Sequence, residues 1–127
     1  MNFINGKRIL LVDDEASVRD TLRFLLTSLG GEVTEAADGA GALAHYQRGR
    51  FDVVITDYNM SHMRGDELAA AIKTLNPTQR IVMISGFPER VLRSGRRPDT
   101  VDAILAKPCR LEDLLAVLHE NPGEVVA

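Results

Sequence analysis

The sequence predicts an α/β protein, a doubly wound parallel sheet of five strands covered by helices on both faces. Short, compact apolar segments alternate along the chain with longer segments in which apolar residues recur every three or four positions. The first pattern is typical of buried strands and the second of amphipathic helices. Alternation of the two favours parallel strands joined by right-handed helical crossovers.

The first three elements are predicted from the amino-terminal third of the chain. Residues 7–12 end in the compact apolar run Ile-Leu-Leu-Val, which indicates a buried strand. Residues 18–29 then place one Val and four Leu on one helical face, and Gly30-Gly31 closes that helix. Residues 32–36 are more polar, which predicts a strand at or near the edge of the sheet.

The middle of the chain continues the alternation. Residues 38–49 predict a weak helix that an Asp-Gly turn starts, and residues 51–56 give the clearest strand pattern of the sequence. A loop is predicted over residues 57–65. Residues 68–75 form a third helix, which the following Asn-Pro pair ends, and residues 81–84 form another buried strand.

The last third contains a strand at residues 103–106 and a helix at residues 111–118, whose first turn carries two acidic residues where the helix dipole favours them. Between these elements and the fourth strand, residues 87–102 have few apolar side chains, four Arg, and a Gly and a Pro that interrupt any long helix. We therefore expect a fourth helix that is short or mobile, at about residues 89–94.

Composition excludes several classes of protein. The chain has 127 residues, 45% hydrophobic and 26% charged, which is ordinary for one globular domain. Its longest apolar runs have five residues, whereas a membrane span needs about 18. Its first eight residues lack the apolar core that a signal peptide has. The net charge of −3 gives no reason to expect direct nucleic-acid binding. The lone Cys109 cannot form an internal disulfide, so we expect a cytoplasmic protein.

Polar residues follow four of the five predicted strands. They are Asp13-Asp14-Glu15, Asp57 with Asn59 two residues later, Ser85, and Lys107. Because ligands bind beyond the carboxyl ends of strands in such sheets, we expect these side chains to meet. Gathered carboxylates need a cation or protons to coexist, and their oxygen ligands suit Mg²⁺. A Lys and a hydroxyl beside that cation are typical anion-binding groups, so the sequence predicts a site for a phosphoryl group.

These residues lie in motifs that resemble the receiver domain of bacterial two-component response regulators. The matching pieces are Ile9-Leu10-Leu11-Val12-Asp13-Asp14-Glu15, Asp57-Tyr58-Asn59-Met60 with Gly65 after it, Ile84-Ser85-Gly86, and Lys107-Pro108. The match covers about residues 7–119. It implies the flavodoxin-like receiver fold, with strand order 2-1-3-4-5. We expect residues 1–127 to be a single receiver domain that ends in a short tail, residues 120–127, with no output domain among them. Two interpretations stay open: the chain works alone, or it is a fragment of a larger regulator or hybrid kinase.

The resemblance also implies roles at the acidic site. Asp57 would be the phosphoacceptor, taking a phosphoryl group from the phosphohistidine of a histidine kinase or a histidine phosphotransfer protein. Asp14 would bind Mg²⁺ directly and Asp13 mainly through water. Asp57 and the backbone carbonyl of Asn59 would complete the set of protein ligands, and Mn²⁺ can substitute for Mg²⁺.

Two further roles and the mode of signalling follow from the same resemblance. Lys107 would pair with Asp57 and then with a phosphoryl oxygen, and Ser85 would hydrogen-bond another oxygen. The chain would be a regulator rather than an enzyme, limited to its own phosphorylation and dephosphorylation. It would signal to an unknown downstream protein, with no membrane partner. The face formed by the fourth helix, the fifth strand and the last helix is the expected surface for docking or homodimerisation.

Three features depart from the family pattern. The family usually has an aromatic residue three positions before the strand-five Lys, and Ile104 occupies that position. The loop after Asp57 usually reads Met-Pro-x-Met-Asp-Gly, but Ser61 and Arg64 replace its Pro and Asp here. The third departure is the Arg-rich segment 87–102. We expect a looser loop and an altered coupling to the output face.

Other interpretations stay open at this point. The acidic triplet Asp13-Asp14-Glu15 can merely cap the first helix, and Cys109 is most simply a small buried apolar residue. A non-phosphorylated interaction module, or pseudo-receiver, can use the same fold. A phosphatase of the haloacid dehalogenase type also uses Mg²⁺ and an aspartyl phosphate, but its DxDx[TV] motif does not match residues 13–17.

Overall fold

The computed structural model describes residues 4–86 and 101–119, which contain five strands and four helices. In chain order the elements are β1 (Arg8–Val12), α1 (Ala16–Ser28), β2 (Glu32–Ala36), α2 (Gly39–Arg48), β3 (Val53–Asp57), α3 (Gly65–Leu75), β4 (Ile81–Ser85), β5 (Ala103–Ala106) and α4 (Leu111–His119). The predicted alternation is confirmed. The short helix expected at residues 89–94 and the tail at 120–127 lie outside the described residues.

The sheet has the predicted architecture. Its strand order is β2-β1-β3-β4-β5, and each neighbouring pair is parallel. The more polar β2 is an edge strand, as its composition indicates, while β1, β3 and β4 are interior strands buried almost throughout. The prediction of a doubly wound sheet with order 2-1-3-4-5 is therefore correct.

The core consists of two apolar layers, one on each face of the sheet. Side chains alternate along each strand, so Ile9 and Leu11 of β1 face one layer and Leu10 and Val12 face the other. Helices α1 and α4 cover the first layer, and α2 and α3 cover the second. None of the described helices is long and apolar enough to span a membrane.

The third strand begins and ends later than the sequence pattern predicts. Its apolar start was expected at Phe51, but Phe51 stacks on Tyr46 of α2, with 6.2 Å between the ring centroids. Asp52 instead precedes the strand, and its carboxylate accepts a hydrogen bond from the backbone N–H of Arg8 at 2.7 Å. Asp57, predicted as the first residue of a loop, is the last residue of β3 and pairs in register with Ile84.

Candidate functional site

The strand order brings residues from four strands to one edge of the sheet. Asp57 and Ser85 end the neighbouring strands β3 and β4, and Asp13 and Lys107 directly follow β1 and β5. The backbone N–H of Lys107 donates to the carbonyl of Ser85 at 2.8 Å, which continues the pairing of β4 and β5 beyond the last residue of β5. These four residues mark the end of the sheet at which the strands have their carboxyl termini, and we call this end the carboxyl edge.

Lys107 joins the two most buried carboxylates of this edge. Its Nζ lies 3.1 Å from Oδ1 of Asp57 and 3.2 Å from Oδ2 of Asp13. The aspartate side chains are only 5% and 2% exposed, whereas the Lys107 side chain is 21% exposed. Charge-assisted hydrogen bonds of this kind are stronger than neutral ones. Lys107 thus ties Asp57 and Asp13 together from the side of β5.

Asp13, Asp14 and Asp57 form a cluster that is short of positive charge. Each offers one carboxylate oxygen, and the three oxygens lie within 4.8 Å of one another. Lys107 is the one cation that pairs with this cluster among the described residues. Carboxylates are hard oxygen ligands, which Mg²⁺ binds at sites that keep several water molecules. The donor set therefore fits a magnesium ion.

Burial and the charge of Lys107 shift the pKa of Asp57 in opposite directions. Burial and the neighbouring charge of Asp13 raise the pKa of Asp57, and the ammonium of Lys107 only partly offsets them. Burial alone would lower the pKa of Lys107, but the charges of Asp57 and Asp13 outweigh burial and raise it. Lys107 is therefore held in its charged form, while ionised Asp57 gains from any further cation.

The loop after β1 is shaped by Asp13 rather than by a helix cap. Oδ1 of Asp13 accepts a hydrogen bond from the N–H of Glu15 at 2.9 Å, and the Asp13 carbonyl accepts one from Nη1 of Arg19 at 2.8 Å. Glu15 occupies the N-cap position of α1, but its side chain makes no capping hydrogen bond. The interpretation of Asp13-Asp14-Glu15 as a side-chain cap is wrong, because Asp13 turns toward Lys107.

Asp14 and Asn59 are both exposed. Asn59 belongs to the loop between β3 and α3, two residues after Asp57. That loop is anchored at both ends through Tyr58. The N–H of Tyr58 donates to the carbonyl of Ile84 at 2.9 Å, and the carbonyl of Tyr58 accepts from the N–H of Gly65 at 2.8 Å. The loop expected to be loose thus has fixed ends.

Two residues support the site without having been assigned a role from the sequence. Arg19 of α1 holds the Asp13 carbonyl and also pairs with Glu35 of β2, with 3.5 Å between Nε and Oε1. Gly65 starts α3 directly against β3, where a Cβ would overlap the backbone of Asp57 and Tyr58. The position of Gly65 at the start of a helix could have indicated the close approach of α3 to β3. The sequence positions of Arg19 and Asp13 do not indicate that the two residues are in contact.

The remaining candidate residues have simple environments. Ser85 is 1% exposed. Cys109 packs partly buried against the α1–α4 layer, and its thiol donates to the Ala106 carbonyl at 3.3 Å. Burial, helped by the charge of Asp113, raises the pKa of Cys109 to about 11. Cys109 is therefore a packing residue, as expected.

Fold and site together identify the family. A family model described as the response regulator receiver domain matches residues 9–119, and this chain belongs to that family. It is therefore a receiver domain of the two-component response regulators with an acidic pocket at the carboxyl edge of its sheet.

Individual relatives agree with this assignment. The response regulator receiver protein CpdR of Brucella abortus is 34% identical over 86% of this chain and 91% of its own length. Some of the other curated relatives are longer, and the chain spans 46% of one of them and 47% of another. The chemotaxis response regulator CheY4 of Vibrio cholerae is 36% identical, with a TM-score of 0.78 over 90% of this chain and 97% of that structure.

One related structure was solved with ligands. The response regulator TrrA of Thermotoga maritima, in complex with Mg²⁺ and beryllofluoride, is 29% identical to this chain. The match has a TM-score of 0.77 and covers 85% of this chain and 92% of that structure.

Proposed function

We propose that this protein is a phosphoacceptor that takes a phosphoryl group from a phosphohistidine onto Asp57 in a Mg²⁺-dependent reaction. The observation that carries the proposal is the ammonium of Lys107, which lies within 3.2 Å of both Asp57 and Asp13 beside the exposed carboxylate of Asp14. TrrA, whose structure holds Mg²⁺ and beryllofluoride, supports the proposal because its receiver fold is related.

In this reaction Asp57 is the nucleophile. One of its carboxylate oxygens forms a bond to phosphorus while the bond from phosphorus to the donor imidazole nitrogen breaks, and the imidazole keeps the electron pair and takes up a proton. A bound magnesium ion supplies positive charge that offsets the repulsion between carboxylate and phosphoryl oxygens. Asp14, Asp57 and the Asn59 carbonyl would hold the ion directly, and Asp13 through water.

Lys107 and Ser85 would bind the transferred group. The ammonium of Lys107 pairs with Asp57 in this structure, and it would follow the negative charge to a phosphoryl oxygen once Asp57 carries the phosphoryl group as an acyl phosphate. Ser85 ends the neighbouring strand and would donate its hydroxyl to a second oxygen. Fixed donors aimed at developing charge are the usual source of stabilisation in such transfers.

The output would be a changed surface rather than a product released into solution. We propose a histidine kinase or a histidine phosphotransfer protein as donor and a downstream protein as the reader of the phosphorylated form. Ile104, at the position where the family usually has an aromatic residue, is only 1% exposed and packs in the α2–α3 layer. A conformational change would therefore proceed without a swinging aromatic ring at this position.

Ile104 is also the observation that favours the second candidate, a non-phosphorylated interaction module. Such a module needs no acidic cluster, whereas Asp13, Asp14 and Asp57 are all retained and converge here. Phosphoacceptance therefore explains more of the structure. A phosphatase with an aspartyl nucleophile directly after the first strand fits less well, since Asp13 is tied by Lys107 and by the Glu15 N–H.

Intact mass after incubation with acetyl phosphate and Mg²⁺ separates these candidates. A single phosphoryl adduct is expected in the wild type, and its loss is expected in Asp57→Asn. Asp20→Asn, at an exposed residue of α1, is the matched control and should be modified like the wild type. No adduct in any variant would favour the interaction module, and steady turnover of small phosphate esters would favour the phosphatase.

A further inference from the structure

The three clustered carboxylates are not held equally. Asp13 and Asp57 are both paired with Lys107. Asp14 is exposed, and among the described residues Ser61 alone contacts its carboxylate. The direction in which Asp14 points therefore depends on Ser61, a residue of the loop between β3 and α3.

Ser61 donates two hydrogen bonds to the same oxygen of Asp14. Its backbone N–H lies 3.4 Å from Oδ2 and its hydroxyl lies 3.5 Å from Oδ2. Each bond is long and therefore weak on its own, but the two converge on one atom. A proline at this position, which is usual in the family pattern, has neither donor. The contact to Asp14 is therefore a property of this chain rather than of the fold.

The backbone at Ser61 is fixed by its own loop. The carbonyl of Ser61 accepts a hydrogen bond from the N–H of Met63 at 2.8 Å. His62 between them has a φ of 71°, which closes the turn in the left-handed region. Met63 in turn packs against the first residue of α2, Gly39, where a Cβ would overlap its side chain. Ser61 is thus presented to Asp14 by an anchored turn.

We propose that Ser61 is a positioning residue that orients Asp14 for binding a divalent cation at the carboxyl edge. The inference rests on the proposed function, since it requires the cation to bind at this cluster. A carboxylate already held in one rotamer loses less conformational freedom when it binds an ion. The two donors occupy Oδ2, so Oδ1 is left as the oxygen that a cation can take.

The test measures the Mg²⁺ dissociation constant of the full chain by NMR titration in four serine variants. Ser61→Ala removes the hydroxyl and keeps the N–H, and we expect binding about twofold weaker. Ser61→Pro removes both donors, and we expect about fourfold weaker binding, since each of the two bonds is long and restricts the carboxylate only weakly. Ser61→Thr retains both donors and should bind like the wild type. Ser28→Ala, whose lost hydroxyl bond lies at the end of α1, is the matched control and should change nothing.

A second readout needs no metal. The amide proton of Ser61 should move upfield in Asp14→Ala, because its carboxylate acceptor is lost, and should not move in Asp20→Ala. An unmoved Ser61 amide in Asp14→Ala would overturn the contact itself. This measurement is independent of how Ser61→Pro alters the loop.

The outcomes separate the inference from the proposed function. If the wild type binds Mg²⁺ and all Ser61 variants bind it equally well, the positioning role is wrong and phosphoacceptance is unaffected. Tighter binding by Ser61→Ala would also overturn it, since the hydroxyl would then be competing with the ion. A wild type that binds no Mg²⁺ would overturn the proposed function and the inference together.

Discussion

Charged side chains lie at both ends of the strands, the carboxyl end and the amino end, but the groups that they bind differ between the two ends. At the carboxyl edge, charged groups bind one another through Lys107. At the opposite end, which we call the amino edge, the residues just before β1, β4 and β5 bind the backbone. Lys7 Nζ donates to the Leu118 carbonyl at 3.0 Å, Arg80 Nη2 donates to the Val117 carbonyl, and Asp102 Oδ2 accepts from the Ile81 N–H at 2.7 Å.

Because the bonded groups differ, we expect the amino edge to contribute to the stability of the fold and the carboxyl edge to the binding of a cation. The last carbonyls of a helix have no partner within it, so Lys7 and Arg80 satisfy groups at the end of α4 that would otherwise be unpaired. At the carboxyl edge, one ammonium is shared among carboxylates that repel each other, and the deficit of positive charge is what a cation can fill. Substitutions at the amino edge should therefore change stability alone, while substitutions at the carboxyl edge should change chemistry.

The largest expected effect is on the rate of phosphorylation in Lys107→Ala. Loss of one fixed charge at a reacting group typically lowers a rate by about 100-fold, and we expect a fall of that order with acetyl phosphate as donor. Lys7→Ala at the amino edge is the matched control. It should phosphorylate at the wild-type rate and unfold more easily by about 1 kcal/mol, the usual worth of one hydrogen bond. Equal rates in Lys107→Ala and the wild type would contradict the role of Lys107.

For Asp102→Ala we expect lower stability with no change in binding at the carboxyl edge, the reverse of what we expect for Lys107→Ala. The Asp102 carboxylate, 15% exposed, accepts from the Ile81 N–H and pairs with Lys73 at 3.5 Å. Removing it leaves a buried N–H without a partner, which should lower the free energy of unfolding in urea by about 2 kcal/mol. Mg²⁺ affinity should stay at the wild-type value. A change in that affinity would show that the two edges are coupled.

Asp57→Asn should stabilise the metal-free protein. The pKa of Asp57 is raised mainly by burial, with Asp13 adding to the shift, so its ionised form is disfavoured in the folded state. A raised carboxyl pKa means that the folded state keeps its proton longer than the unfolded one. Wild-type stability therefore falls as the pH rises from the unfolded to the folded pKa. The Asp57→Asn variant has no carboxylate to ionise at this position. Its free energy of unfolding in urea at pH 7 should therefore exceed that of the wild type by on the order of 1 kcal/mol.

The pH dependence provides the control for that prediction. Below the unfolded pKa of Asp57, both states of the wild type are protonated, and the advantage of Asp57→Asn should disappear. A gain that is the same at pH 3 and pH 7 would mean that ionisation of Asp57 is not its cause. If Mg²⁺ binds as proposed, adding it at pH 7 should narrow the difference in stability between Asp57→Asn and the wild type, because the ion would pair with the wild-type carboxylate.

Features of this structure that depend on residues close together in the sequence were predicted well, and those that depend on tertiary contacts were predicted less well. Periodicity is local, so the type and order of the described elements and the edge position of β2 were predicted correctly. The placement of Asp13, Asp57, Ser85 and Lys107 on one edge follows from strand ends in a parallel sheet. The start of β3 was misplaced because Phe51 has strand propensity but packs on a helix, a tertiary contact that local patterns do not contain.

The contacts that orient the site could not be predicted. Arg19 reaching the Asp13 carbonyl and Ser61 reaching the Asp14 carboxylate both depend on loop geometry, which spacing leaves open. The departure at Ser61 was visible as a lost proline and suggested a looser loop. In the structure the serine instead adds a contact, because it supplies the N–H and hydroxyl that a proline lacks.

The smallest expected effect tests whether the amino edge is purely structural. Tyr46 donates its hydroxyl to Oε1 of Gln79 at 2.9 Å, and Gln79 is only 5% exposed. Tyr46→Phe keeps the ring against Phe51 and removes only this bond, which should lower the free energy of unfolding by about 0.5–1 kcal/mol. Tyr46→Leu should cost more, since it also removes the ring stacking. If Tyr46→Phe slowed phosphorylation of Asp57 without this loss of stability, the amino edge would have a role in the chemistry after all.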